Sequence, residues 1–186
     1  MSFKVLVIPE DPTFNGYILK PLVEAVLAEA GKPKAKVHIL SNPAVKGFDQ
    51  AMKVIRQTLP DMYGYWDLWL FIPDADRASA PAMRALEEEM DVKGIRLLCC
   101  PAQPEVEIYC CVGHRSELQA AWEKVRSSAR MKEEYFEPLL QQNGETNTAG
   151  GGRETLIATS LSKMSALFQL CPELADLCDR VRQLTS

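Results

Sequence analysis

The chain has 186 residues, of which 47% are hydrophobic and 25% charged, proportions that belong to a folded globular protein and exclude a disordered one. A net charge of -4 and a pI near 5.3 exclude the broad basic surface that sequence-independent nucleic-acid binding needs, while leaving room for a local basic groove. The length predicts one domain over residues 1–186.

The opening "MSFKVLVIPEDP" carries a short apolar run before acid and proline, without the ordered regions of a signal peptide. It reads as a first strand over residues 3–9, near-continuously apolar as in a strand covered on both faces. "EDPTFNGY" is turn-rich. Ile18, Leu19, Leu22, Val23, Val26 and Leu27 then recur at helical spacing and Gly31 stops them. Pro21 is tolerable only where helical N–H groups lack partners, so this helix is expected to begin near Tyr17. "AKVHIL" (35–40) predicts a second strand, and Ala51, Val54, Ile55 and Leu59 a helix that Pro60 ends. "DLWLFIP" (67–73) is the most apolar strand. Pro81, Met83, Leu86 and Met90 mark a further helix and "IRLLCC" (95–100) a fourth strand. This β-α alternation predicts an α/β fold with a parallel sheet of about four strands flanked by helices.

Beyond Pro101 helices dominate. "PEVEIYCCVG" suits a strand by alternation and a helix by Pro104 followed by Glu105 and Glu107, and the helix is preferred. "SELQAAWEKVRSSAR", "EEYFEPLLQ" and "PELADLCDRVRQL" carry helical spacing, and "QNGETNTAGGGRE" (142–154) reads as a flexible loop. The expected plan is a core over about 3–112 and a helical extension over about 113–186. No stretch approaches the roughly 18 apolar residues of a membrane span, so a cytoplasmic location without membrane contact is expected. Six cysteines without a C-x-x-C pair read as buried, reduced thiols.

Ligands of open parallel sheets sit outside the carboxyl ends of the strands. There the sequence sets Glu10 and Asp11 after strand one, Asp74 and Asp76 after strand three, and Glu105 and Glu107 after strand four. Two carboxylates in D-x-D can share a hard cation such as Mg²⁺, with waters and substrate phosphate completing its shell. Aspartates in that place also cap helices, and both readings stand at this point. Arg77, beside the aspartates, suits a substrate phosphate or a local charge balance. Arg153, in "AGGGRE", can reach the site from a loop that lacks the G-K-[ST] ending of a P-loop.

An acid directly after strand one ("VLVIPED") with a later strand ending in D-x-D ("LWLFIPDADR") resembles the Toprim fold of topoisomerases, primases and OLD-type and RloB-like nucleases. "PAQPEVEIYCC" is similar to the proline-then-"E-x-W/Y" segment of the RloB-like branch, with Glu107, Ile108 and Tyr109 in that place. The resemblance covers roughly residues 4–112. It implies a Toprim-like (Rossmann-like) sheet, Glu10 as general acid/base or metal ligand, Asp74 and Asp76 as ligands of Mg²⁺ or Mn²⁺, and Glu107 as an auxiliary or structural acid. Asp11-Pro12 stands where the family often has glycine. The implied activity is metal-dependent phosphodiester hydrolysis on DNA or RNA, in phage defence. Two alternatives are a non-catalytic regulatory subunit working with an ATPase partner and a D-x-D nucleotide-sugar transferase.

Overall fold

The structure, a computed structural model, describes residues 2–185. Four strands form one all-parallel sheet: β1 (Lys4–Pro9), β2 (Lys36–Ile39), β3 (Leu68–Ile72) and β4 (Leu97–Cys99), in the spatial order β2-β1-β3-β4. The strands alternate with α1 (Asn15–Glu29), α2 (Phe48–Gln57), α3 (Leu59–Tyr63) and α4 (Ala80–Val92), as the alternation predicts. The two central strands read as unbroken apolar runs because both faces of the sheet are covered. Leu6, Ile8, Trp69, Phe71, Leu97 and Cys99 pack against α2 and α4. Val5, Val7, Leu68, Leu70, Ile72 and Leu98 pack on the other face against α1 and the helices of the C-terminal third. Each large side chain so buried contributes about 1.5–3 kcal/mol.

Two local expectations are corrected, and one open alternative is closed. Helix α1 begins at Asn15, two residues before Tyr17, so Pro21 lies in its second turn. There the ring removes the bond to the Tyr17 carbonyl, and the buried row from Ile18 to Leu27 holds the helix regardless. Pro60 does not simply end a helix: α2 stops at Gln57 and Pro60 opens α3, where a missing N–H costs nothing. The D-x-D aspartates do not cap α4. Its cap is Ser79, whose Oγ accepts from the Ala82 N–H at 3.4 Å.

The C-terminal third comprises α5 (Ile108–Cys111), a 3₁₀ segment (Val112–Glu117), α6 (Trp122–Ser127), a π-helical turn (Lys132–Phe136), α7 (Glu137–Asn143), α8 (Arg153–Leu161), α9 (Met164–Leu170) and α10 (Pro172–Thr185). The helical choice for "PEVEIYCCVG" holds. This third is no appendage, because Val125, Phe136, Leu156, Leu174 and Val181 belong to the same apolar cluster as α1 and one face of the sheet. Helix α10 also closes the β4 edge. The Cys99 N–H donates to Glu87 Oε1 at 2.6 Å, and Arg180, ion-paired to Glu87 at 2.7 Å, donates to the Cys99 carbonyl. With the outward N–H and carbonyl of Cys99 taken, this edge is blunted against pairing with another strand. All six cysteines are buried and free, and burial pushes the Cys111 thiol up to about 12. No described helix is long and apolar enough to cross a membrane.

Candidate functional site at the carboxyl ends of the strands

From β1 the chain goes one way to β2 and the other way to β3, so the strand order reverses between β1 and β3. A crevice opens at the carboxyl ends of two strands that diverge in this manner. Glu10 follows β1 and Asp74 follows β3, and β1 and β3 are neighbours in register. The topology therefore sets the two acids side by side. The Asp74 N–H donates to Glu10 Oε1 at 3.2 Å. Asp74 Oδ1 in turn accepts from the Val106 N–H at 3.0 Å, tying the acid to the segment after β4. That segment continues the sheet beyond its strands: the Ala75 N–H donates to the Ala102 carbonyl at 3.0 Å and to the Pro104 carbonyl at 2.9 Å. Asp11 folds the loop after Glu10 by accepting from the Thr13 N–H at 2.8 Å.

The charges of this cluster are only partly compensated. Burial, followed by the charges of Asp74 and Asp76, raises Glu10 to about 7. Burial also raises Asp74 to about 6, with Glu107 and Asp76 adding to it against the Val106 hydrogen bond and Lys132. Glu105 is raised to about 7 by burial and by the charges of Glu107 and Asp74. Three acids at one end of a sheet thus stand well above their ordinary range, a perturbation characteristic of functional sites.

Glu107 is 2% exposed and carries its own counter-charge: Lys132 Nζ lies 2.8 Å from its Oε1. Lys132 also donates its backbone N–H to Glu105 Oε1 at 2.9 Å. Burial disfavours the Lys132 ammonium, but the hydrogen bond to Glu107 together with the charges of Glu107 and Glu105 outweighs it and raises the group. Lys132 opens the π-helical turn, a local widening often found at functional positions. No sequence spacing links it to Glu107, 25 residues earlier, and nothing in the sequence marks it as a site residue. The Ser79 cap does carry a sequence signal, Ser followed by Ala80-Pro81.

A cleft of about 360 Å³ opens beside the acids, lined by Asp74, Asp76, Gln103, Glu105, Arg126 and Ser128 among others. Asp76 is exposed. Arg77 turns away, pairing with Asp49 at 2.8 Å with its guanidinium 5.6 Å from the Phe48 ring. Its charge still lowers Glu10 slightly. Arg153 is buried between Phe14 and Phe136. The glycine-rich turn before it is occupied by its own side chains: the Gly150 N–H donates to Glu154 and the Gly152 N–H to Thr148.

Among the described residues no three His, Cys, Asp or Glu side chains are already drawn together as a ready-made metal-binding group. The donor chemistry of Glu10, Asp74 and Asp76 nonetheless fits Mg²⁺, which takes hard oxygen ligands and is usually held by one or two carboxylates with waters and substrate oxygens. The protein is thus of the α/β class, with an acidic site at the switch point of a parallel sheet. Comparison with protein-family models, with curated proteins and with solved structures finds no match in any of the three.

Proposed function

We propose that the chain is a Mg²⁺-dependent phosphoryl-transfer enzyme, a Toprim-like nuclease acting on a nucleic-acid phosphodiester. The observation that carries this reading is the pairing of Glu10 and Asp74 across neighbouring strand ends, with Asp76 close enough to raise both. Crowded, half-buried carboxylates without a cation are costly, and a dication relieves that cost. Glu10, Asp74 and Asp76 would hold the ion, which neutralises charge on phosphoryl oxygens and polarises water.

The remaining work falls to groups of the chain itself. Glu10 and Glu105, both lifted to about 7, can take up and return a proton near neutral pH, as general acid/base catalysis requires. Lys132 holds Glu107, and its positive charge acts on Asp74 and Glu105. Arg126 and Ser128 line the same cleft as Asp74, where donors to an anionic backbone are needed. Arg126 is fixed there by Glu173, which both of its terminal nitrogens reach at 3.4 and 3.0 Å, and by the Leu170 carbonyl at 2.8 Å, so it presents a rigid group whose charge Glu173 shares.

The test is incubation of labelled single-stranded DNA, single-stranded RNA and supercoiled plasmid with Mg²⁺, Mn²⁺ or a chelator. Metal-dependent products are expected from the wild type, reduced by about 100-fold or more in Asp74→Asn and Glu10→Gln. Cleavage that survives both substitutions contradicts the assignment.

A further inference from the structure

The acids at the carboxyl ends of the strands repel a polyanion as readily as they attract a cation, and the net charge of -4 adds to that repulsion. A nuclease built this way needs positive charge elsewhere, and the chain gathers it at the opposite end of the sheet. Lys4 opens β1, Lys36 opens β2, and Lys32 and Lys34 stand in the turn between α1 and β2. None of these four lysines forms an ion pair with a carboxylate of the described residues. Lys4 and Lys36 are register partners on neighbouring strands, so their side chains leave the same face of the sheet about 4.8 Å apart.

Aromatic rings are set among these charges. His38, exposed, follows Lys36 on that face of β2. Its ring stacks on Tyr63 at 6.3 Å and lies 5.7 Å from Trp66. Tyr63 and Trp66 meet edge to face at 5.7 Å and pack against the core on the α2 and α4 side, so they support His38 from beneath. Tyr65, between them in sequence, is 72% exposed, with Lys4 Nζ 5.5 Å from its ring centre. Asp67, the acid beside Lys4, accepts from the Lys4 backbone N–H at 2.7 Å and leaves the ammonium unpaired. Next to the lysines runs a shallow groove of about 530 Å³, lined by Phe3, Gly31, Lys32, Pro33 and Lys34 among others, so this surface has room for a ligand.

Unpaired cations interleaved with accessible rings are what holds a single strand of nucleic acid, whose phosphates take the charges and whose bases stack on the rings. An acidic peptide answers the lysines alone, and a duplex keeps its base faces stacked inside. We propose that the amino end of β1 and β2 is a platform for single-stranded nucleic acid, with Lys4, Lys34 and Lys36 on backbone phosphates and Tyr65 and His38 under bases. It lies about 20 Å from Glu10 along β1, so it holds the strand and takes no part in the chemistry. That the strand is the enzyme's substrate rests on the phosphoryl-transfer reading; the platform itself does not.

The test is fluorescence anisotropy of labelled oligothymidylate and oligouridylate of about 20 nucleotides with the full chain, in chelator, over a series of salt concentrations. Both are expected to bind the wild type more tightly than a duplex of the same length does. Tyr65→Ala is expected to weaken binding about fivefold or more and Tyr65→Phe to restore it, since the ring and not the hydroxyl stacks. Lys4→Gln and Lys36→Gln are each expected to weaken binding and to flatten the log–log salt slope by about 0.7. Lys163→Gln removes a charge beside Gly113, in the C-terminal third, and is expected to leave the slope unchanged. Absence of binding, tighter binding of the duplex, full affinity in Tyr65→Ala, or unchanged slopes in both Lys4→Gln and Lys36→Gln overturn the platform. Displacement by polyglutamate or phosphatidylserine vesicles as effective as by unlabelled strand overturns the choice of nucleic acid. Because no divalent cation is present, loss of binding here and loss of metal-dependent cleavage are separate results.

Discussion

Asp74→Asn is the substitution whose effect follows most directly from the geometry. Asparagine keeps an oxygen that can accept from the Val106 N–H and removes only the charge. In the metal-free protein that charge is unfavourable: burial and the neighbouring acids lift Asp74 from 3.8 to about 6. At about 1.4 kcal/mol per pH unit the cost approaches 3 kcal/mol, and water at the partly exposed carboxylate reduces it to roughly 1–2 kcal/mol. The folded chain retains its proton between pH 4 and 6 while the unfolded chain has lost it, so stability falls as pH rises through that window and the whole cost is present above it. Asp74→Asn is therefore expected to raise the Tm by roughly 3–7 °C at pH 8 in chelator, with the gain shrinking toward zero near pH 4. Mg²⁺ at pH 8 is expected to stabilise the wild type and to leave the variant unmoved. A variant destabilised equally at pH 4 and pH 8 refutes the electrostatic reasoning.

Glu10→Gln follows the same sign with a higher window: Glu10 moves from 4.5 to about 7, so its gain should appear above pH 7 and fade toward pH 4.5 in a pH series of urea unfolding. Lys132→Met leaves Glu107, 2% exposed, without its counter-charge. A loss of about 2–4 kcal/mol is expected by denaturant titration, and restoration of most of it by Lys132→Arg. Ser79→Ala removes the cap of α4 and should cost about 1 kcal/mol with cleavage unchanged. Gly113→Ala would set a Cβ 2.6 Å from the Ser160 backbone nitrogen; α8 must then shift, and a loss above about 3 kcal/mol is expected.

The sheet is legible in the sequence because parallel strands covered on both faces must be apolar at every position, as "VLVIP" and "LWLFI" are. The pairing of Glu10 with Asp74 is legible for a related reason: an acid that ends one buried run and an acid that ends another meet when those runs are neighbours. Lys132 is not legible, since its bond to Glu107 closes across the fold and leaves no periodic mark. Arg77 misleads in the opposite way. Sequence adjacency to the aspartates puts it at the site, but its side chain leaves with α2 toward Asp49. Pro21 and Pro60 show why helix boundaries are harder to read than helix existence. A proline's local cost is set against the burial of a whole apolar row, and in α1 the row prevails.

The most direct test of the account is anomalous diffraction from crystals soaked in Mn²⁺. A peak at about 2.0–2.3 Å from carboxylate oxygens of both Glu10 and Asp74 is the predicted result. Full soaking with no peak at the carboxyl ends of β1 and β3, or a peak held only by acids elsewhere on the surface, contradicts it.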